Sequence, residues 1–233
     1  MSHRRPNGPI EDHTFPPTLE ARLVTPGPNP RLHGFSVEDD LALHYRYPEL
    51  VLLALTGKPP AEKQGRAFDI ALQFLEPLAI AEAPTHAAML ARLCGAPSSS
   101  ILSVACITLV ERARHVVLQH RPLLEWLETS AGDAELPSIY RSKGEDDCAS
   151  VGRLQKALAA AGVEIERLGL SPTRWTATFL TLHFAGLARA DQWEAVLVMA
   201  SLAPVCAEAQ AHSPGALAAY PMNLPDFLYE ESS

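Results

Sequence analysis

GFSVEDDLALHYRYPELVLLALTGKPP, residues 34–60, spells two helices and two stops. Ser36 is placed to cap a helix whose first turn carries Glu38, Asp39 and Asp40, where the helix dipole favours negative charge. Pro48 then opens a second helix, PELVLLALTG, which is apolar almost all round and is expected to lie buried. Gly57 is placed to end it in the left-handed conformation, and Pro59-Pro60 prevent it from resuming.

Outward from this stretch the chain reads as a series of helices. Apolar residues recurring every three to four positions predict them over 37–46, 48–56, 61–80, 84–94, 98–128, 148–162, 172–187 and 191–211. Alternating β-branched runs are nearly absent, so no sheet is expected. Gly95-Ala96-Pro97 breaks the chain before a long helix that Ser98 or Ser99 would cap. Residues 1–33, with Pro16-Pro17 and the PGPNP run, read as an extended arm. Residues 129–147 are polar and read as a loop or domain crossing. The tail from Pro214, with YPMNLPDFLY, reads either as an arm packed on a neighbour or as an ordinary loop.

Composition narrows the function classes. With 233 residues, 47% of them hydrophobic, the chain can bury one sizeable core. A net charge of -8 argues against nucleic acid. No apolar run approaches the roughly 20 residues of a membrane span, and MSHRRPNGP lacks a secretory h-region. Cys94, Cys106 and Cys206 sit in apolar helical text. With Cys148 they lie far apart and in no metal spacing, and they read as core thiols of a cytoplasmic protein.

The series resembles the citrate synthase superfamily, at the size of its compact citryl-CoA lyase-like members, from about Leu32 to about Gln210. The residues that carry the resemblance are the opening pair of helices, APTHAAMLARLCGAPSSSILSVACITLVERARHVV, the crossing SIYRSKGEDDCASVGRLQKAL, and LSPTRWTATFLTLHFAGLARADQWEAVLVMASLAPVCAEAQ. No single motif among them is specific; their order and spacing carry it. The resemblance implies an all-α, citrate synthase-like helical assembly. A large helical domain would comprise 34–128 and 188–213, with a reduced small domain at 129–187, an N-terminal arm at 1–33 and a C-terminal arm at 214–233. It also implies dimerisation through long apolar helices, here 84–94 and 98–118.

The family's chemistry joins or cleaves a C–C bond between an acyl-CoA and a 2-oxo acid. It uses an aspartate base, two histidines and carboxylate-binding arginines, with no metal. Laid on this chain, the first histidine falls within about a residue of His115, but inside uninterrupted helix and without the family's glycines. The second falls on Ile139 or Tyr140. Arg141 and Lys143 match basic positions of the crossing, where a carboxylate or CoA phosphate would be held. The aspartate falls on Arg174 or Trp175, and neither can act as a base near neutral pH. Ser201, Pro204 and Glu208 replace three further family residues.

Two readings follow. One is a catalytically degenerate relative that binds a ligand or regulates an active subunit. The other is an active citrate synthase or citryl-CoA lyase-type enzyme with altered groups. The site residues carried forward are His115 and Tyr140 for catalysis, and Arg141, Lys143 and Arg174 for ligand. Expected ligands are a CoA ester or a carboxylic acid, with no tightly bound cofactor. Expected partners are a second copy or a citrate synthase-like paralogue, with no nucleic acid and no membrane.

Overall fold

A computed structural model describes residue 18 and residues 20–75, 78–130, 134–142 and 144–217. Its backbone contacts divide the chain into two units, Met1–Arg46 and Tyr47–Ser233. The aromatic tail 220–229 lies outside the described residues.

The first unit corrects the expectation of a plain extended arm at 1–33. Three two-residue strands, β1 (Val24–Thr25), β2 (Arg31–Leu32) and β3 (Phe35–Ser36), form an antiparallel ribbon in the order β1-β2-β3. Leu32 pairs with Phe35, so β2 and β3 are joined by a two-residue turn, His33-Gly34. Both turn residues have positive φ, +50° and +86°, which matches the right-handed twist of the flanking strands. Strands this short leave no alternation to detect. A π-type turn, Val37–Leu41, then passes into α1 (Ala42–His44). Ser36 caps it as expected, its Oγ accepting from the Asp39 amide at 3.1 Å. The same hydroxyl donates to Asn29 at 2.8 Å, tying the PGPNP loop to the cap.

The second unit is helical: α2 (Tyr47–Thr56), α3 (Glu62–Leu75), α4 (Ala83–Leu93), α5 (Ser98–Thr129), α6 (Glu145–Ala160), α7 (Arg174–Phe184) and α8 (Ala190–Ala211). Gly57, at φ +74°, closes α2 through a 2.8 Å bond to the Leu53 carbonyl. Only Leu52 and Leu53 of α2 are fully buried, fewer than its all-round apolarity suggested. Helix α3 is described to Leu75 and residues 78–80 are not helical, so it falls short of the expected end at 80. Neither Ser98 nor Ser99 caps α5. Pro97 holds the N-cap position without a side-chain bond, and the serines lie inside the helix. Helix α5 continues through Pro122, and α8 through Pro204.

Helices α5 and α8 are antiparallel. Ile101, Ala105 and Leu109 cluster with Val205 and Ala209, whereas Ala113 and Val117 share a second cluster with Trp193, Val196 and Leu197. That second cluster also holds Val151, Leu154, Leu158 and Phe179, so the 129–187 segment shares its core with α2, α3, α5 and α8. At its centre Phe179 stacks on Trp193 at 4.3 Å and meets His120 at 4.8 Å; Tyr140 follows His120 at 6.1 Å.

By length and composition α8 is apolar enough to cross a membrane, although no uninterrupted apolar run in the sequence had suggested one. Here it packs on α5 and α4 and buries Trp193, Val196, Leu197 and Val205, as a core helix does. Cys94 proves exposed, at the C-cap of α4, while Cys106 and Cys206 are half-buried; all four thiols are free.

Candidate functional site

The crossing between α5 and α6 is pinned to the start of α7 by backbone bonds. The Ser142 amide donates to Ser171 at 2.8 Å, and the Thr173 amide donates to Tyr140 at 2.9 Å. Arg141 thereby bridges Pro172. Ser171 adopts a left-handed conformation, φ +53°, that turns the chain into α7. Thr173 caps that helix, its Oγ1 accepting from the Thr176 amide at 3.2 Å. This pairing brings the adjacent residues Tyr140 and Arg141 to the start of α7, where Arg174 stands far along the chain from them. Lys143 lies outside the described residues.

His115 is not drawn into this group. It is exposed on α5, and its ring nitrogen lies 3.0 Å from the Gln119 side chain, one turn on. The histidine that faces Tyr140 is His120. Its Nδ1 lies 2.8 Å from the Val116 carbonyl and therefore carries a proton. Burial pushes its pKa below the ordinary histidine value, against the pull of that carbonyl. Tyr140 itself is buried at 5% exposure, and its hydroxyl makes no hydrogen bond of normal geometry among the described residues. Burial pushes the phenol upward, so it stays protonated near neutral pH.

The basic groups are largely engaged. Arg141 Nε donates to Leu136 O at 2.8 Å, and its guanidinium pairs with Glu135 at 2.6 Å. Arg174 is exposed and reaches the Phe74 carbonyl at 3.1 Å. At the end of α7 where the resemblance implies a catalytic aspartate, the carboxylate present comes from α6: Asp147 Oδ1 accepts from the Arg174 backbone amide at 3.1 Å. Trp175 is half-buried, stacked on Phe179 at 6.1 Å, with the Arg112 guanidinium 5.5 Å from its ring. Ser201, another family position, is fully buried and donates to Leu75 O at 3.2 Å.

Helix α6 begins three residues earlier than expected. Glu145, Asp146 and Asp147 form its first turn instead of ending a loop, because acids there complement the positive end of the helix dipole. Along α6 and across to α7 lies an open groove of about 850 Å³, lined by Glu145, Asp146, Asp147, Ser150, Arg153 and Arg174 among others. Sequence reasoning missed His120, Asp147, Ser150 and Arg153. The doubled aspartate was the one local signal, and it reads equally well as a solvated loop. Among the described residues no group of three or more His, Cys, Asp and Glu could hold a metal.

Comparison with solved structures identifies the fold. The chain resembles citryl-CoA lyase from Hydrogenobacter thermophilus at TM-score 0.60 and 14% identity, over 91% of this chain and 97% of that one. It also resembles ATP citrate lyase from Methanothrix soehngenii, solved with citrate and coenzyme A, at TM-score 0.57 and 13% identity. That match covers 99% of this chain and 45% of the larger one. No protein-family model and no curated protein matches the sequence. The all-α, citrate synthase-like fold expected from the sequence is therefore borne out.

Proposed function

We propose that this chain is a citrate synthase-fold protein that does not itself carry out the condensation or cleavage of an acyl-CoA with a 2-oxo acid, and that acts by binding and dimerisation. The observation that carries the reading is the start of α7. Arg174 and Trp175 stand where a base is required, and the Arg174 amide is already closed by Asp147. His115 faces Gln119 and Tyr140 is buried, so the positions carried over from the resemblance do not converge on one reacting centre.

The dimer face is supported by what the described surface exposes. Helix α5 has no charged residue from Ser98 to Val110, and α8 has none from Ala195 to Ala207. Leu102, Ile107 and Val110 of α5 and Met199 of α8 are at least 41% exposed. Exposed apolar side chains on two helices that pack together support an interface, and a second copy or a citrate synthase-like paralogue would cover them. A CoA ester or carboxylic acid is the ligand this reading expects, held near Arg141 and Arg174.

The test is thiol release from acetyl-CoA with oxaloacetate, and oxaloacetate formation from citryl-CoA, paired with light scattering. The expected result is a dimer with no turnover. A second reading, an active enzyme, is favoured by one observation: Asp147 delivers a carboxylate to the α7 terminus. Turnover near about 1 s⁻¹ that Asp147→Asn abolishes would establish that reading and overturn the first.

A further inference from the structure

Cys106 lies on α5 and Cys206 on α8, and both are free and half-buried. Each stands one position after a residue buried in the seam between the two helices. Cys106 follows Ala105 and Cys206 follows Val205, and those two share one apolar cluster. One position is a step of about 100° around a helix. Because α5 and α8 run antiparallel, the same step turns both side chains to the same side of the seam. The two thiols also sense each other. Burial pushes the Cys206 thiol upward, and the neighbouring Cys106 pushes it further.

The seam at this point is built of small residues. Ala105 and Ala209 are fully buried in it, and Ala88 of α4 joins the same cluster. Small contact residues let helix axes approach to about 8 Å, the low end of the packing range. A disulfide spans about 4.4–6.8 Å between Cα atoms. Cysteines that flank one side of so close a contact can be joined with little movement of either helix.

We propose that Cys106 and Cys206 form a reversible disulfide that staples α5 to α8. The oxidant is a small-molecule disulfide of the glutathione type. The Cys106 thiol gives its proton to solvent, and its sulfur attacks one sulfur of the oxidant, expelling one glutathione thiolate. The Cys206 thiol then gives up its proton, and its sulfur attacks the Cys106 sulfur of the mixed disulfide, expelling the second glutathione. Two protein thiols are oxidised to one disulfide and the oxidant is reduced to two thiols, so no further reactant is needed. Cys206 acts second because its upward-shifted thiol supplies less thiolate for the first attack. The bond closes a loop of about 100 residues. It lies beside the exposed Leu102 and Val110, which stand four positions either side of Cys106 on α5. The redox state of the pair therefore alters the exposed apolar face.

The experiment treats the full chain with glutathione disulfide at mildly alkaline pH, blocks the remaining thiols, and maps peptides by mass spectrometry without reduction. The expected product is a peptide pair joined through Cys106 and Cys206, absent after dithiothreitol, in a chain that stays monomer-sized on a non-reducing denaturing gel. Cys94 and Cys148, both exposed, report ordinary mixed-disulfide formation in the same sample. The thermal midpoint should rise by at least about 5 °C on oxidation and return on reduction. Cys206→Ser should hold one glutathione on Cys106 and show no rise, with circular dichroism unchanged. The wild-type map needs no variant, so a variant that fails to fold leaves the test intact. No link between Cys106 and Cys206, or a link between chains, overturns the proposal. A link that leaves the midpoint unchanged overturns the staple. The bond is read by mass and dimerisation by light scattering, so this inference and the proposed function can each fail alone.

Discussion

Asp147 on α6 closes the first turn of α7 by accepting the Arg174 backbone amide at 3.1 Å. A carboxylate from one helix thus caps another and clamps the crossing between them. Asp147→Ala removes an N-terminal acceptor and a favourable charge at the helix dipole, and should cost about 1 kcal/mol. Urea denaturation reads this as a lower midpoint at unchanged slope. Asp147→Asn keeps an acceptor and should lose less. Equal stability of wild type and Asp147→Ala would show that the bond contributes nothing.

Phe179 is the hub of the core. It is fully buried between Trp193 at 4.3 Å and His120 at 4.8 Å. Phe179→Ala should cost about 3–5 kcal/mol, enough to leave a marginal domain largely unfolded. Phe179→Leu should retain the fold at a smaller cost. Thermal melts by circular dichroism separate the two.

Acid should weaken the fold partly through His120. Burial lowers its folded pKa below the unfolded value, so the folded state binds fewer protons and stability falls as pH drops below about 6.5. His183 is shifted the same way, by burial first and then by Arg167, so the two losses add. His120→Phe keeps an aromatic ring against Phe179 and removes the titration. Its stability should therefore change less between pH 7 and pH 5 than that of wild type. Identical pH slopes would remove His120 from the account.

The proposed dimer face can be broken without touching the core. Ile107 is 65% exposed and Met199 41% exposed. Ile107→Lys with Met199→Lys places charge in the middle of the apolar face. Light scattering should report a folded monomer at micromolar concentration, where wild type gives a dimer. A wild-type monomer under the same conditions would refute the interface.

Much of the fold was legible in the chain because its signals are local. Ser36, Gly57 and the break at 95–97 act within one turn of themselves, and each marks the start or end of a helix in the structure. The apolar periodicity of α3 to α5 and of α8 depends only on burial of one face, so those helices lie within a few residues of expectation. The order and spacing of those helices were enough to point to the citrate synthase-like arrangement. The sequence also sufficed to show that residues 174 and 175 are an arginine and a tryptophan, whatever surrounds them.

The site depended on contacts that no local signal carries. Glu145–Asp147 looked like a charged loop, and the dipole of a helix they themselves begin makes them its first turn. That Asp147 meets Arg174, 27 residues on, follows from the pairing of 140–142 with 171–173. His120, not His115, faces Tyr140 because a five-residue step on a helix turns the side chain well away from the first position, and only packing chose which face looked inward. The two-residue strands at 24–36 were too short for a period-two pattern to register. Local propensity therefore set where helices start and stop, whereas the tertiary structure decided which charges are spent on each other and which remain for a ligand.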